Sequence, residues 1–405
     1  MADSTAEAAA GPQAAGTERR AMGTACGAHA VHDGYTDVLY VMLPVWQAEL
    51  GLGYAAVGML RSLYSGAMAT FQIPAGALGD RFGSALVLAI GTVLAAAAFP
   101  LAAAGAGFPG LAAALVVGGI GASVQHPIAS AIVARAYRGA RSRAAIGTYN
   151  FAGDLGKMAL PAATAFLMTA IAWRSAMWAL FALGVAAAAA ILLATPRAVA
   201  APRVRRRGET AAAERGEGHR GGFGWLLAIG ILDTGTRSGF LTFLPFLLTA
   251  KGADLPTIGV ALTLVFSGGA AGKLVCAHLG ARLGVLRTVL LTEGLTALLI
   301  LALLPLPLLA GLALLPIIGV ALNGTSSVLY GTVPELVPES RRTRAFSIFY
   351  TGTIGAGAAS PILYGLFGDA AGIPWAMTLV AAIVLSTLPL AVLLNRAMGR
   401  HITGS

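Results

Sequence analysis

The chain is 405 residues long, 57% hydrophobic and only 11% charged, with a formal net charge of +10. A soluble protein carries about a quarter charged residues, so this composition excludes an ordinary globular domain and places the chain in a bilayer. The positive balance does not indicate a nucleic-acid partner, because 21 of the 27 Lys and Arg residues fall in short segments on one side of the expected topology, the pattern that retention of cations in the cytoplasm produces.

In chain order, residues 1–27 are Ala, Gly and polar, with no apolar stretch ahead of a small-residue cleavage site. They read as a disordered cytoplasmic N-terminus with no cleaved signal. Six apolar runs follow, at 28–50, 56–78, 85–105, 109–134, 144–170 and 173–195. Residues 196–222, rich in Arg, Gly and Glu, break the pattern as a cytoplasmic linker. Six more runs, at 223–250, 256–279, 285–306, 309–333, 343–367 and 371–395, precede a cytoplasmic tail at 396–405. Each run has at least the roughly 20 residues that a helix needs to cross about 30 Å of hydrocarbon, and none shows the ten-residue alternation of a membrane β-barrel. The expected fold class is an all-α membrane protein of twelve transmembrane helices, in a bacterial inner membrane with both termini inside.

The twelve runs are six written twice. With an offset of 201 residues, Pro44 recurs as Pro245, Gly58 as Gly259, Gly79 as Gly280, Arg81 as Arg282, Gly83 as Gly284, Gly118 as Gly319, Arg143 as Arg344 and Gly156 as Gly357. Two pseudo-symmetric six-helix halves, 28–195 and 223–395, follow from that register.

Between the second and third spans stands Gly76-Ala-Leu-Gly79-Asp80-Arg81-Phe-Gly83, with a degenerate copy, Ala277-His-Leu-Gly280-Ala281-Arg282-Leu-Gly284, at the matching place. The first copy resembles the signature loop of the major facilitator superfamily. Its glycines permit a tight turn, and its carboxylate can face the N-terminus of a neighbouring helix, where the dipole is positive. The resemblance implies that this neighbour is the eleventh span, starting near Thr343, so that Gly76, Gly79, Asp80, Arg81 and Gly83 form a conformational latch. Three further elements are His29-Ala-Val-His32-Asp33, Gly121-Ala-Ser123-Val-Gln-His126-Pro127 and Asn150-Phe-Ala-Gly153-Asp154-Leu-Gly156. They are similar to elements of the fosmidomycin resistance transporters, which export a small phosphonate antibiotic. The full glycine-proline antiporter pattern is absent from the fifth span: Gly153, Gly156 and Pro161 are present without the Gly-Pro pair.

Ionisable groups near the bilayer centre cost on the order of 3 kcal/mol each, so each needs a partner or a purpose. At ~1.5 Å per residue, Asp37, Asp154 and Asp233 come out roughly 14 to 16 Å deep, at one level, as a proton relay requires. Asp33 lies one turn from Asp37 and completes the proton-coupling set. Spacing allows Asp233 with Arg237, and Asp154 with Lys157, to pair along their own helices. Arg61, His126 and Lys273 have no such partner; they are candidates for holding an anion or for closing pairs across the halves. With Lys157 and Arg237 they make up the substrate-binding set, Arg being suited to a phosphonate or carboxylate by its planar fork. A structural ion pair that merely lets a charge stay buried is the competing reading for each couple. Glu293 in the ninth span is left out, since that span faces away from the cavity in the fold implied by the resemblance. Glu335, at a helix end, is left out as well.

No zinc spacing, phosphate loop or nucleophile motif is present, and Gly118-Gly-Ile-Gly121 has no preceding strand to make it a dinucleotide loop. Cys26 and Cys276 offer neither a disulfide framework nor a ligand cluster. The expectation is therefore a monomeric carrier in contact with lipid, without metal or cofactor and without catalytic residues, whose partners are protons and a small molecule. Proton-coupled export is the first reading. Uptake of an organic anion by proton symport uses the same residues and stays open, while a membrane sensor or enzyme is disfavoured by the lack of a catalytic constellation or a soluble domain.

Overall fold

A computed structural model describes residues 12–137, 140–202, 220–338 and 341–399. The described residues are helical almost throughout and contain no strand. The N-terminal half consists of α1 (Pro12–Leu50), α2 (Tyr54–Phe82), α3 (Ser84–Ala104), α4 (Gly107–Ala122), α5 (Gln125–Ala136), α6 (Ala140–Ala170) and α7 (Trp173–Ala194). A single turn, α8 (Arg197–Ala200), starts the linker, most of which lies outside the described residues. The C-terminal half consists of α9 (Arg220–Ala250), α10 (Leu255–Leu303), α11 (Leu308–Leu336), α12 (Arg342–Ala371), α13 (Ile373–Leu385) and α14 (Thr387–Gly399).

These elements map onto the expected spans with four differences. The first helix begins at Pro12, so residues 12–27 are helical where disorder was expected. Ala21, Ala25 and Ala28 are fully or almost fully buried, and that packing supplies what a polar Ala-rich segment lacks on its own. The fourth span is split into α4 and α5 just ahead of His126-Pro127, where Pro127 withholds a backbone donor. The twelfth is split into α13 and α14 at Ser386. The eighth and ninth spans run together as α10 across a kink at Gly284, where φ is +75°. Gly83, its repeat mate, has φ +96°, so the two halves turn at the same point in the same left-handed conformation, which only glycine enters cheaply.

Seven of the spans pass as long apolar helices on length and composition: the third, fourth, sixth, eighth, ninth, tenth and twelfth. The first, second, fifth, seventh and eleventh do not, and the second, fifth and eleventh meet the eighth at the seam between the halves. There α2 packs on α12 and α6 on α10. The approach is closest near Tyr54. A Cβ on Gly58 would stand 2.1 Å from the Pro361 carbonyl oxygen, and one on Gly365 would stand 2.3 Å from that of Tyr54. Beyond the membrane-centre residues the second span emerges: Leu60 and Tyr64 are buried, whereas Ile73, Leu78 and Phe82 are 85%, 47% and 52% exposed.

Candidate functional site

The seam encloses a cavity of ≈ 300 Å³ lined by Asp33, Asp37, Arg61, His126, Asp154, Lys157, Arg237 and Lys273. Eight of the nine sequence candidates for coupling and binding thus come together. Asp233 is the exception: it is 3% exposed and stands behind Arg237, whose Nη2 donates to its Oδ2 at 2.7 Å.

The first span supplies one face of the cavity through Asp33 and Asp37, with His29 buried one turn behind Asp33. Asp33 Oδ2 lies 3.2 Å from His29 Nε2 and 3.2 Å from Lys157 Nζ. Its other oxygen is 4.0 Å from His126 Nε2. Lys157 is therefore bound to Asp33 of the first span, and the expected Asp154–Lys157 pair is corrected. Asp154 instead accepts two hydrogen bonds from Lys273 Nζ, both at 2.7 Å. A three-residue spacing on a helix permits contact but does not require it; here a cation from the facing half sits more directly over the carboxylate. This pair crosses from the fifth span to the eighth and ties the halves together through the cavity.

Arg61 is 7% exposed. Its Nη2 donates to the Tyr40 hydroxyl at 3.0 Å, and its guanidinium lies 4.8 Å from the Tyr40 ring centroid and 5.8 Å from that of Tyr64. Nε and Nη1 are buried without a hydrogen-bond partner. Aromatic faces stabilise such a cation in part, and the two remaining donors are costly to leave unmade. Asp37, 5% exposed, lies in the field of Lys157 and Arg61.

Sequence reasoning missed Glu293. It is 2% exposed and its carboxyl lies in the field of Asp233 and Arg237. Asp233, Arg237 and Glu293 thus form one buried cluster of charged groups. The signal was present: Thr288, Thr292 and Thr296 recur every four residues in the ninth span, and all are buried. That stripe marks a polar face turned inward and away from lipid.

Asp80 receives a hydrogen bond from Arg135 Nη2 at 3.3 Å, and Arg135 also donates to Ser84 Oγ and to the Val199 carbonyl. Arg341 begins the eleventh span, with no side-chain cap. Among the described residues Asp80 thus pairs within the N-terminal half, while Arg81 lies against the Phe82 ring. Gly79 packs on Ile128, and Gly76 faces Pro127 at an ordinary distance. At the opposite end of the same two spans, Asp369 of the eleventh accepts from the Tyr54 amide at 2.6 Å and from the Ala55 amide at 3.0 Å. It caps the second span from across the seam.

His29, Asp33 and His126 put three possible metal ligand atoms within 4.8 Å of one another. The Lys157 ammonium on the same carboxylate oxygen as His29 puts a positive charge where a metal ion would stand, so this donor set does not fit one.

The Major Facilitator Superfamily model matches residues 25–232 and 226–401, covering both halves. An uncharacterised MFS-type transporter of Mycobacterium tuberculosis is 30% identical over 142 residues, a stretch that spans 34% of this chain and 24% of that relative. Among solved structures, a bacterial homologue of the human lysosomal transporter Spinster, inward-facing and unoccupied, has a TM-score of 0.78 at 16% identity, covering 97% of this chain and 99% of its own. The human organic anion transporter MFSD10 has a TM-score of 0.65 at 19% identity, covering 92% and 99%. At these identities the structures speak for the fold alone. The repeated halves, the charged seam and the matched family model agree that this chain belongs to the major facilitator superfamily, as a multi-pass membrane transporter of the secondary kind and not an enzyme.

Proposed function

We propose that this transporter exports a small polar or anionic compound in exchange for protons, by alternating access between its halves. The observation that carries this reading is Arg61, a buried cavity-lining guanidinium with two unpartnered nitrogens. A phosphonate or carboxylate offers paired oxygens that such a fork bonds in parallel. The resemblance to the fosmidomycin resistance transporters points to a phosphonate of that kind. Asp33, Asp37, Asp154 and Asp233 are the coupling acids in this reading. His126, Lys157, Arg237 and Lys273 complete the cargo site, because an anion that takes Lys157 or Lys273 displaces a carboxylate that then accepts a proton. With the Asp80 end cytoplasmic, as its cation-rich loops require, the tight contacts near Tyr54 seal the outer face.

The test uses purified protein in liposomes with radiolabelled fosmidomycin and an imposed pH gradient. Acidification of the trans side should drive accumulation there. Arg61→Gln should weaken binding by roughly 1.5 to 3 kcal/mol, the scale of hydrogen bonds to a charged group. Flux driven in the same direction as the proton identifies symport and overturns export. An Arg61→Gln variant with unchanged affinity removes the anion site.

A further inference from the structure

We infer that the proton-binding group of the first span is the imidazole of His29, and that protonation at its Nε2 releases Lys157 from Asp33. The inference rests on the proposed proton coupling and assigns it to an atom outside the carboxylate set.

The ring is held in one tautomer. His29 Nδ1 lies 2.8 Å from the Tyr149 carbonyl oxygen, and a carbonyl only accepts, so Nδ1 carries the hydrogen. The ring also stacks on Tyr149, with centroids 4.1 Å apart, and sets an edge against His126 at 5.4 Å. It has little freedom to turn. Nε2 is left as the group that gains or loses a proton. It is buried and makes no aligned hydrogen bond, yet it faces Asp33 Oδ2 at 3.2 Å. A bare nitrogen lone pair against a carboxylate oxygen is repulsive, and a proton on Nε2 converts the contact into a charge-assisted hydrogen bond.

The same oxygen serves Lys157 Nζ at 3.2 Å. With Nε2 unprotonated, Lys157 is the cation that satisfies Asp33. When a proton reaches the cavity from bulk water and forms an N–H bond at Nε2, two cations share one carboxylate oxygen. The imidazolium is fixed by its helix and by Tyr149; Lys157 sits on a flexible stem with its side chain 31% exposed toward the cavity. Lys157 is the one that leaves, and it becomes free for an anion. The other groups around the ring do not compete for this proton position. His126 approaches only the far oxygen of Asp33, His32 is turned to the Thr92 hydroxyl through its own Nε2, and the Tyr149 hydroxyl is engaged by Gln125.

The experiment is nitrogen-15 NMR of histidine-labelled protein in lipid nanodiscs, titrated from about pH 8 to about pH 5. The chain has 6 His residues. His29→Gln identifies the His29 signal, and His126→Gln with the remaining single variants identifies it by elimination should that protein fail to fold. The expected result is a neutral ring with hydrogen on Nδ1 at high pH that gains a second hydrogen, on Nε2, on acidification, and that fails to do so over the same range in Asp33→Asn. A ring that stays neutral throughout, or whose change is indifferent to Asp33→Asn, overturns the inference. So does a shift of the His29 and His126 signals on adding zinc, which would make the cluster a metal site. The NMR readout needs no cargo. If Nε2 takes up its proton as described and the fosmidomycin flux ignores a pH gradient, the proton site stands and the coupled-export reading falls; if the flux follows the gradient in wild type and equally in His29→Gln, export stands and His29 is not its carrier.

Discussion

The second and eighth spans occupy equivalent places in the two halves, yet their first turns are capped from different sources. Asp254 precedes the eighth span and accepts from the Thr257 amide at 3.0 Å, a cap within one helix. At the repeat position, 201 residues earlier, stands Gly53, which caps nothing with its side chain; the carboxylate there comes from Asp369 of the opposite half. Relocating a capping acid from the same helix to a facing one turns a local stabilisation into a conformational one. Such a cap is worth typically about 1 kcal/mol, and in the first half that amount is available only while the seam near Tyr54 is closed.

The largest disturbance of this asymmetry is steric. Gly58→Leu puts a side chain where the Pro361 carbonyl oxygen allows none. Overpacking of about 1 to 3 kcal/mol should open the seam, read as longer distances between spin labels placed in the turns at 51–53 and at Gly372. Unchanged distances would mean that the two backbones do not meet as described. Next comes Asp369→Ala. Losing the cap across the seam should change the ratio of the two conformations by about fivefold, the equivalent of roughly 1 kcal/mol, in the same label measurement. The smallest effect on the seam belongs to Asp254→Ala. It should lower thermal stability by about as much as any lost cap while leaving the label distances where they are. If Asp254→Ala opens the seam as far as Asp369→Ala does, the difference between local and transferred caps disappears.

The architecture was largely legible in the sequence because it rests on local quantities: run length, charge placement and a repeat register. That register went further than composition could. Gly51 and Gly252, also 201 apart, both adopt positive φ, as Gly83 and Gly284 do. What stayed illegible depends on contacts between spans. Asp154 had an acceptable partner three residues away and took Lys273 instead, and nothing in one helix reports what faces it. Asp369 reads as an ordinary acid at a helix end until the second span is brought beside it. Glu293 was lost to a generalisation about the ninth span, although its threonine stripe argued otherwise. Asp80 lies in the last turn of the second span and pairs with Arg135 of the fourth, a partner that its own helix does not report.

The cavity wall and the residue behind it set four acids, Asp33, Asp37, Asp154 and Asp233, against four cations, Arg61, Lys157, Arg237 and Lys273. With all eight ionised, the empty carrier reorients without carrying net charge through the bilayer. Moving one elementary charge through a membrane potential is worth about 2.3 kcal/mol per 100 mV, so voltage finds nothing to act on in the unloaded step. In the exchange proposed above it acts on the loaded steps, on the charge of the cargo in one direction and on that of the proton in the other. The current accompanying each turnover is then a direct count of the net charge moved.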